Sequence, residues 1–194
     1  MPLKERVYSV LIVTRTEKFS LSLSSWLSPS KFSPINTVSG VSAAKRALLE
    51  RDYDLVLINS PLEEDSGSKI AVDVCTGKSG CALLFVPREQ YLVMSEEVRA
   101  FGVFVLPKPT TGQMVSQAID WMCATRERLA RYEKTVSTVK QKMEEIRTVN
   151  HAKWILIDVL KMTEEDAHRY IEKQAMDRCV SRMEIAKNVI ATYK

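Results

Sequence analysis

Five short apolar runs, separated by segments of helical periodicity, constrain this chain more than any other feature. Residues 7–13 (VYSVLIV), 54–58 (DLVLI) and 82–86 (ALLFV) are nearly continuous aliphatic stretches, and shorter extended pieces stand at 35–38 and 103–106. Between them, 17–27, 42–50, 66–75 and 94–101 carry apolar residues at helical spacing. A strand that is apolar at consecutive positions is covered on both faces, which means a parallel sheet between layers of helices. The expectation is an α/β domain with a doubly wound, five-stranded parallel sheet. Ligands of such sheets sit beyond the C-terminal ends of the strands, so chemistry is expected in the loops after Val13, Ile58, Val86 and Leu106.

The pattern changes after Pro109. From Thr111 to Asn150 there is no proline, and Gly112 near the start is the only glycine. Met122, Thr125, Leu129, Tyr132, Val136, Val139, Met143, Ile146 and Asn150 follow alternating spacings of three and four, with Arg, Lys and Glu elsewhere. That is a heptad seam, and it predicts a coiled coil that joins two copies of the chain through Leu129, Tyr132, Val136, Val139, Met143 and Ile146. The alternative is a long helix folded back on its own domain. Asn150 on the seam would set register at some cost in stability.

The last segment reads as three helices. The first spans about 149–160; Thr163 caps the second, with Asp166 three residues on, and Ser181 caps the third, with Glu184 at the same offset. The apolar set Ile155, Leu156, Ile171, Met176, Ile185 and Val189 is the expected core. So small a module cannot bury much area alone, which makes it dependent on the long helix and its partner. The chain thus divides into 6–121, 122–148 and 149–194.

Charge follows this division. Residues 1–125 hold 13 Lys and Arg against 13 Asp and Glu, whereas 126–194 hold 15 against 11, the whole of the net +4. A basic C-terminal third points to an anionic partner. Cys75, Cys81, Cys123 and Cys179 form no Cys-x-x-Cys pair, and His151 and His168 fall on separate helices, so neither a metal site nor a disulfide framework is expected. No run approaches the ~20 apolar residues of a membrane span, and the N-terminus lacks the apolar core of a signal peptide. A cytoplasmic protein with no cofactor and no membrane contact is expected.

Residues 6–125 resemble the receiver domain of two-component response regulators. Lys108-Pro109 after the fifth strand resembles the receiver's Lys-Pro pair, and Asn59 with Gly67 eight residues on resembles the phosphoacceptor Asp and the Gly of its loop. The resemblance also shows what is missing. Thr14 and Arg15 stand where receivers hold an acidic pair for Mg²⁺, Asn59 replaces the acceptor carboxylate, Val86 replaces a Ser or Thr, and Val105 takes the aromatic switch position. Pro61 stands two residues after the acceptor position instead of four, which implies another loop shape. Mg²⁺ wants hard oxygen ligands, and phosphoryl transfer wants a nucleophile and a cation, so no phosphorylation is expected. Lys108 and Arg15 are then left without their anions, to be met by Glu17, Glu63 or Glu64, or by a small bound anion.

Residues 149–191 resemble the ANTAR domain, the RNA-binding antitermination module of bacterial response regulators. His151-Ala152-Lys153-Trp154-Ile155-Leu156 resembles its first helix, Thr163 to Tyr170 its capped second helix, and Ala175-Met176-Asp177 its Ala-Met-Asp signature. Glu184-Ile185-Ala186 falls in the third helix. The family often has Gly where Trp154 and Lys161 stand, and a more basic stretch where this chain has Arg178-Cys179-Val180. The resemblance implies a non-enzymatic regulator that binds stem-loops in mRNA leaders so that transcription continues. The expected phosphate or base contacts are Lys153, Arg169, Lys173, Arg178, Arg182 and Lys187, with Tyr170 either stacked on a base or buried against a neighbouring helix. The receiver-like domain then needs another control, such as a sensor protein docking on it. A DNA-binding regulator and a pure interaction scaffold are the competing readings.

Overall fold

The computed structural model describes residues 6–63, 65–77 and 80–193. They form two compact units, divided between Arg131 and Tyr132. In the first unit the elements alternate: β1 (Tyr8–Val13), α1 (Glu17–Trp26), β2 (Phe32–Val38), α2 (Val41–Glu50), β3 (Leu55–Asn59), α3 (Ser68–Thr76), β4 (Cys81–Pro87), α4 (Tyr91–Arg99) and β5 (Phe104–Lys108). All neighbouring strands pair parallel in the order β2-β1-β3-β4-β5. This is the expected doubly wound sheet.

The period of two along the strands sorts their side chains into two cores. Val10, Ile12, Leu55, Leu57, Leu83 and Phe85 pack toward α1 and the first turns of α5 (Gly112–Leu160). Leu11, Val13, Val56, Ile58, Leu84 and Val86 pack toward α2, α3 and α4. The second strand starts at Phe32, three residues before the expected 35. Pro34 hid this start, because a proline argues against a strand unless it lies at a sheet edge, as β2 does. Between Tyr8 and Val10 the pairing with β2 slips by one residue at that point.

The N-terminal end of the sheet is tied to α5 by buried charge. Asp54 accepts from Arg6 at 2.7 Å, from Arg126 at 2.9 Å and from the Ser9 backbone N–H at 3.0 Å. Burial raises the Asp54 carboxyl, but the Ser9 N–H and the two guanidinium groups outweigh it and hold the pKa below the usual value. Beside it the Tyr8 hydroxyl donates to Glu127 at 3.0 Å; burial and that bond push the phenol up to about 12.

The second unit contains the C-terminal part of α5, then α6 (Glu164–Asp177) and α7 (Arg182–Tyr193). The expected first helix of the module is not separate, since α5 runs unbroken from Gly112 to Leu160. With no Gly or Pro after Gly112, nothing in the chain interrupts its hydrogen-bond ladder. The capping expectations hold: Thr163 Oγ1 accepts from the Asp166 N–H at 3.1 Å, and Ser181 Oγ from the Glu184 N–H at 3.2 Å. Lys161 lies in the left-handed region (φ 55°), which is where glycine would be the easy choice.

Ala152, Leu156, Ala167, Ile171, Ala175, Ile185, Ala186 and Val189 form the core of this unit. Two expected core residues fall outside it. Ile155 is half-buried, and Met176 is 77% exposed. The buried row of α6 is 167, 171 and 175, spaced by four, and Met176 lies about 100° round the helix from it.

Candidate functional site

Two places gather the residues singled out in the sequence. In the first unit, the C-terminal ends of β1, β3 and β5 bring together Thr14, Asn59 and Lys108. Lys108 Nζ donates to Asn59 Oδ1 at 2.6 Å and also to the Ser60 backbone carbonyl. Asn59 Nδ2 in turn donates to Thr14 Oγ1 at 3.0 Å, and that oxygen also accepts from the Thr16 N–H at 3.1 Å. The bonds form a chain that runs from the Ser60 carbonyl through Lys108 and Asn59 to Thr14. Burial pushes the Lys108 ammonium pKa down, and its partners among the described residues are neutral oxygens. Among the described residues no carboxylate meets Lys108; the Asn59 amide and the Ser60 backbone carbonyl hold it. Glu63 sits instead 3.7 Å from exposed Arg15, and Glu64 lies outside the described residues.

Val86 is fully buried in the sheet and offers no hydroxyl, and Val105 packs half-buried against the same core. Gly67, with φ +79°, caps α3, and a Cβ there would come within 2.7 Å of Ile58 Cγ2. Receivers use Mg²⁺ at this place, and the donor set here does not fit it. A hydroxyl already bonded, a cation at Arg15 and a neutral amide give no carboxylate to the metal.

The second unit holds a groove of about 360 Å³ formed by α5, α6 and α7. Lys142, Lys153, His168 and Arg182 line it over an apolar floor of Ile146 and Val149. Glu145 and Asn150 also line it, and carboxylates hold two of its cations. Lys153 Nζ lies 3.1 Å from Glu164, and Arg182 lies 3.6 Å from Glu145 and 3.5 Å from Glu172. His168 Nε2 is 3.2 Å from the same Glu172 oxygen.

Comparison with known proteins bears on both places. The ANTAR domain family matches residues 137–190. The transcriptional regulatory protein PdtaR of Mycobacterium tuberculosis is 24% identical over 153 residues, 79% of this chain and 74% of that protein. Among solved structures, the signal receiver domain of an HD domain-containing protein from Pseudomonas fluorescens Pf-5 superposes with a TM-score of 0.56. It is 19% identical and covers 69% of this chain and 96% of that one. The chemotaxis response regulator CheY4 of Vibrio cholerae gives 0.52 at 15% identity, over 60% and 99%. The chain joins a receiver fold to an ANTAR domain.

Within the ANTAR unit the six basic residues expected to touch RNA do not form one face. Lys153 and Arg182 meet in the groove, whereas Arg169 pairs with Glu165 at 2.5 Å on the exposed side of α6. Lys173, Arg178 and Lys187 are exposed and have no ion pair among the described residues. Tyr170 is half-buried against the core. Lys142 and His168 were missed. The spacing of Lys142, Ile146, Val149 and Lys153 along one helix face was the available signal, obscured because Ile146 was assigned to the seam.

The seam residues also divide. Met122 is fully buried in the receiver core, and Leu129 packs against that core. From residue 131 to 144 every side chain is exposed, including Tyr132 (62%), Val136 (51%), Val139 (50%) and Met143 (50%), with Ile146 (60%) just beyond.

Proposed function

We propose that this protein is a non-enzymatic, cytoplasmic RNA-binding regulator of transcription antitermination, whose receiver unit works without phosphorylation. The observation that carries the reading is the cation-lined groove inside the segment that matches the ANTAR domain. RNA phosphates would replace the glutamates on Lys153 and Arg182. The three exposed cations Lys173, Arg178 and Lys187 would add phosphate contacts outside the groove. The exposed seam from Tyr132 to Ile146 supports a parallel homodimer, since large apolar side chains at three-four spacing need a partner helix. With domains at 6–121, 122–148 and 149–194, this leaves the receiver unit to be addressed by a sensor protein docking on its surface.

Filter binding with an RNA stem-loop and duplex DNA of matched length tests the reading. RNA is expected to bind tighter. With about three or four phosphate contacts, doubling the salt should weaken one subunit's binding roughly four- to twelve-fold. Salt-insensitive binding, or equal affinity for the two nucleic acids, sinks it. The glutamate partners of Lys153, Arg169 and Arg182 favour one rival, an interaction scaffold with no RNA function, and the same assay separates the two.

A further inference from the structure

A second, smaller cleft of about 120 Å³ lies between α6 and α7 and has a different chemistry from the basic groove. One wall is a row of Tyr170 and Gln174 of α6 and Arg178 at its C-cap, four residues apart. The facing wall is Asn188, Thr192 and Tyr193 of α7, and the buried side chains of Ile185 and Val189 close the floor. The Thr192 hydroxyl is occupied, donating to the Asn188 backbone carbonyl at 2.8 Å. The side-chain amides of Gln174 and Asn188 and the hydroxyls of Tyr170 and Tyr193 have no hydrogen bond among the described residues. Arg178 has no ion pair among them either, and no carboxylate lines the cleft.

A phosphate would be served by cations and donors alone. This cleft also offers amide acceptors, two aromatic rings and a guanidinium plane. Amides that donate and accept side by side match the hydrogen-bonding edge of a nucleobase. Aromatic rings and guanidinium planes are the surfaces on which unpaired RNA bases stack. The volume is far below the ~300 Å³ at which pockets for whole small molecules begin, which suits one planar ring better than a complete nucleotide.

We infer that the α6–α7 cleft takes one unpaired base of an RNA loop, with Gln174 and Asn188 reading its edge and Tyr193, the more exposed tyrosine, stacking on its face. This rests on the RNA-binding reading and adds the place where sequence, as opposed to charge, is recognised.

The test uses the full-length chain and a stem-loop RNA that it selects from a pool with randomised loops, compared with the same stem carrying a scrambled loop. Gln174→Ala and Asn188→Ala are each expected to weaken the selected loop roughly 5- to 100-fold, with the scrambled-loop affinity and the salt slope unchanged. Lys153→Ala should weaken both RNAs alike and flatten the slope. Gln174→Met keeps side-chain bulk and helix propensity, and it should repeat the Gln174→Ala loss. With 2-aminopurine in the loop, the fluorescence quenching on binding should disappear in Tyr193→Ala. If the protein binds RNA but enriches no loop, or if the amide variants weaken both loops equally or neither, the inference is overturned while the RNA reading stands. If no RNA is bound at all, the RNA reading fails and takes the inference with it.

Discussion

The receiver pocket and the ANTAR groove use the same kind of residue in opposite ways. In the pocket, the ammonium of Lys108 is spent on an amide oxygen and a backbone carbonyl, and Asn59 passes the chain of bonds to Thr14. Lys108 and Asn59 each donate to a neutral acceptor, so an incoming anion would have to displace bonds already made. In the groove, Lys153 and Arg182 are held by glutamates at the ANTAR surface. Ion pairs open to solvent contribute only about 0–1 kcal/mol each, so a phosphate can replace the carboxylate at little net cost at half-exposed Arg182. It does so less freely at Lys153, whose side chain is 16% exposed. A cation is available to a ligand when its present partner is exchangeable. The number of cations is secondary.

The contrast should be broken most forcefully at the seam. Replacing Val139 and Met143 by Glu places like charges across the proposed dimer contact. On a transcript with two stem-loops the variant is expected to lose about 100-fold in affinity, the avidity that linked sites supply, while binding to a single stem-loop holds. Light scattering should show a dimer before the change and a monomer after it. The receiver unit should melt at the same temperature, because neither residue belongs to its core. A monomer for the unmodified protein at micromolar concentration would dismiss the seam.

A smaller effect is expected at the other end of the receiver sheet, where charge serves stability alone. Asp54→Asn removes the one carboxylate that Arg6 and Arg126 share and should cost roughly 3 kcal/mol in urea unfolding. The pH dependence has a definite sign. The folded Asp54 carboxyl titrates below its unfolded value of 3.8, so its contribution is complete above that value. It is lost as pH falls from there through the lower folded pKa. The variant should therefore show a flatter acid limb, and an identical acid limb would mean that Asp54 is not the group responsible.

How far the sequence disclosed these sites depended on what kind of signal each one needs. Continuous apolar runs announced β1, β3 and β4, and an uninterrupted stretch without Gly or Pro announced α5, because burial and backbone chemistry act locally. The three-four spacing could not say what lies opposite it. Met122 and Leu129 share the seam's periodicity, yet the receiver core takes them. The sequence pairs Lys108 with a carboxylate or a small bound anion, since charge is what a sequence displays, and among the described residues a neutral amide and a carbonyl hold it. The α6–α7 cleft was largely invisible for the same reason. Gln174 and Asn188 carry no charge and no apolar period, and only the packing of two helices sets them face to face.

Exchangeability can be tested directly by removing the competing carboxylates. Glu164→Gln relieves Lys153 of its ion pair, and Glu172→Gln removes one of the two carboxylates on Arg182, leaving Glu145. Each change should tighten stem-loop binding two- to five-fold, the range set by an ion pair worth up to ~1 kcal/mol. Their effects should add, since the two carboxylates release different cations. Looser binding in either variant would mean that the glutamates position the groove.

The smallest expected effect is at the receiver pocket, where restoring the acceptor should restore nothing. Asn59→Asp puts a carboxylate where the amide oxygen now lies 2.6 Å from Lys108 Nζ, and the Thr14 hydroxyl can turn to donate to it. The substitution thus supplies a nucleophile and an ion pair. It supplies no second or third oxygen ligand for Mg²⁺, because Thr14 offers one hydroxyl and Arg15 a positive charge. Without the metal, the charge that builds on a transferring phosphoryl group has only Lys108 to meet it. Incubation of Asn59→Asp with a small-molecule phosphodonor and Mg²⁺ should leave the intact mass unchanged. A stoichiometric phosphoryl adduct on the variant would mean that the pocket still assembles a metal site, and that its chain of bonds gives way as readily as the glutamate pairs of the groove.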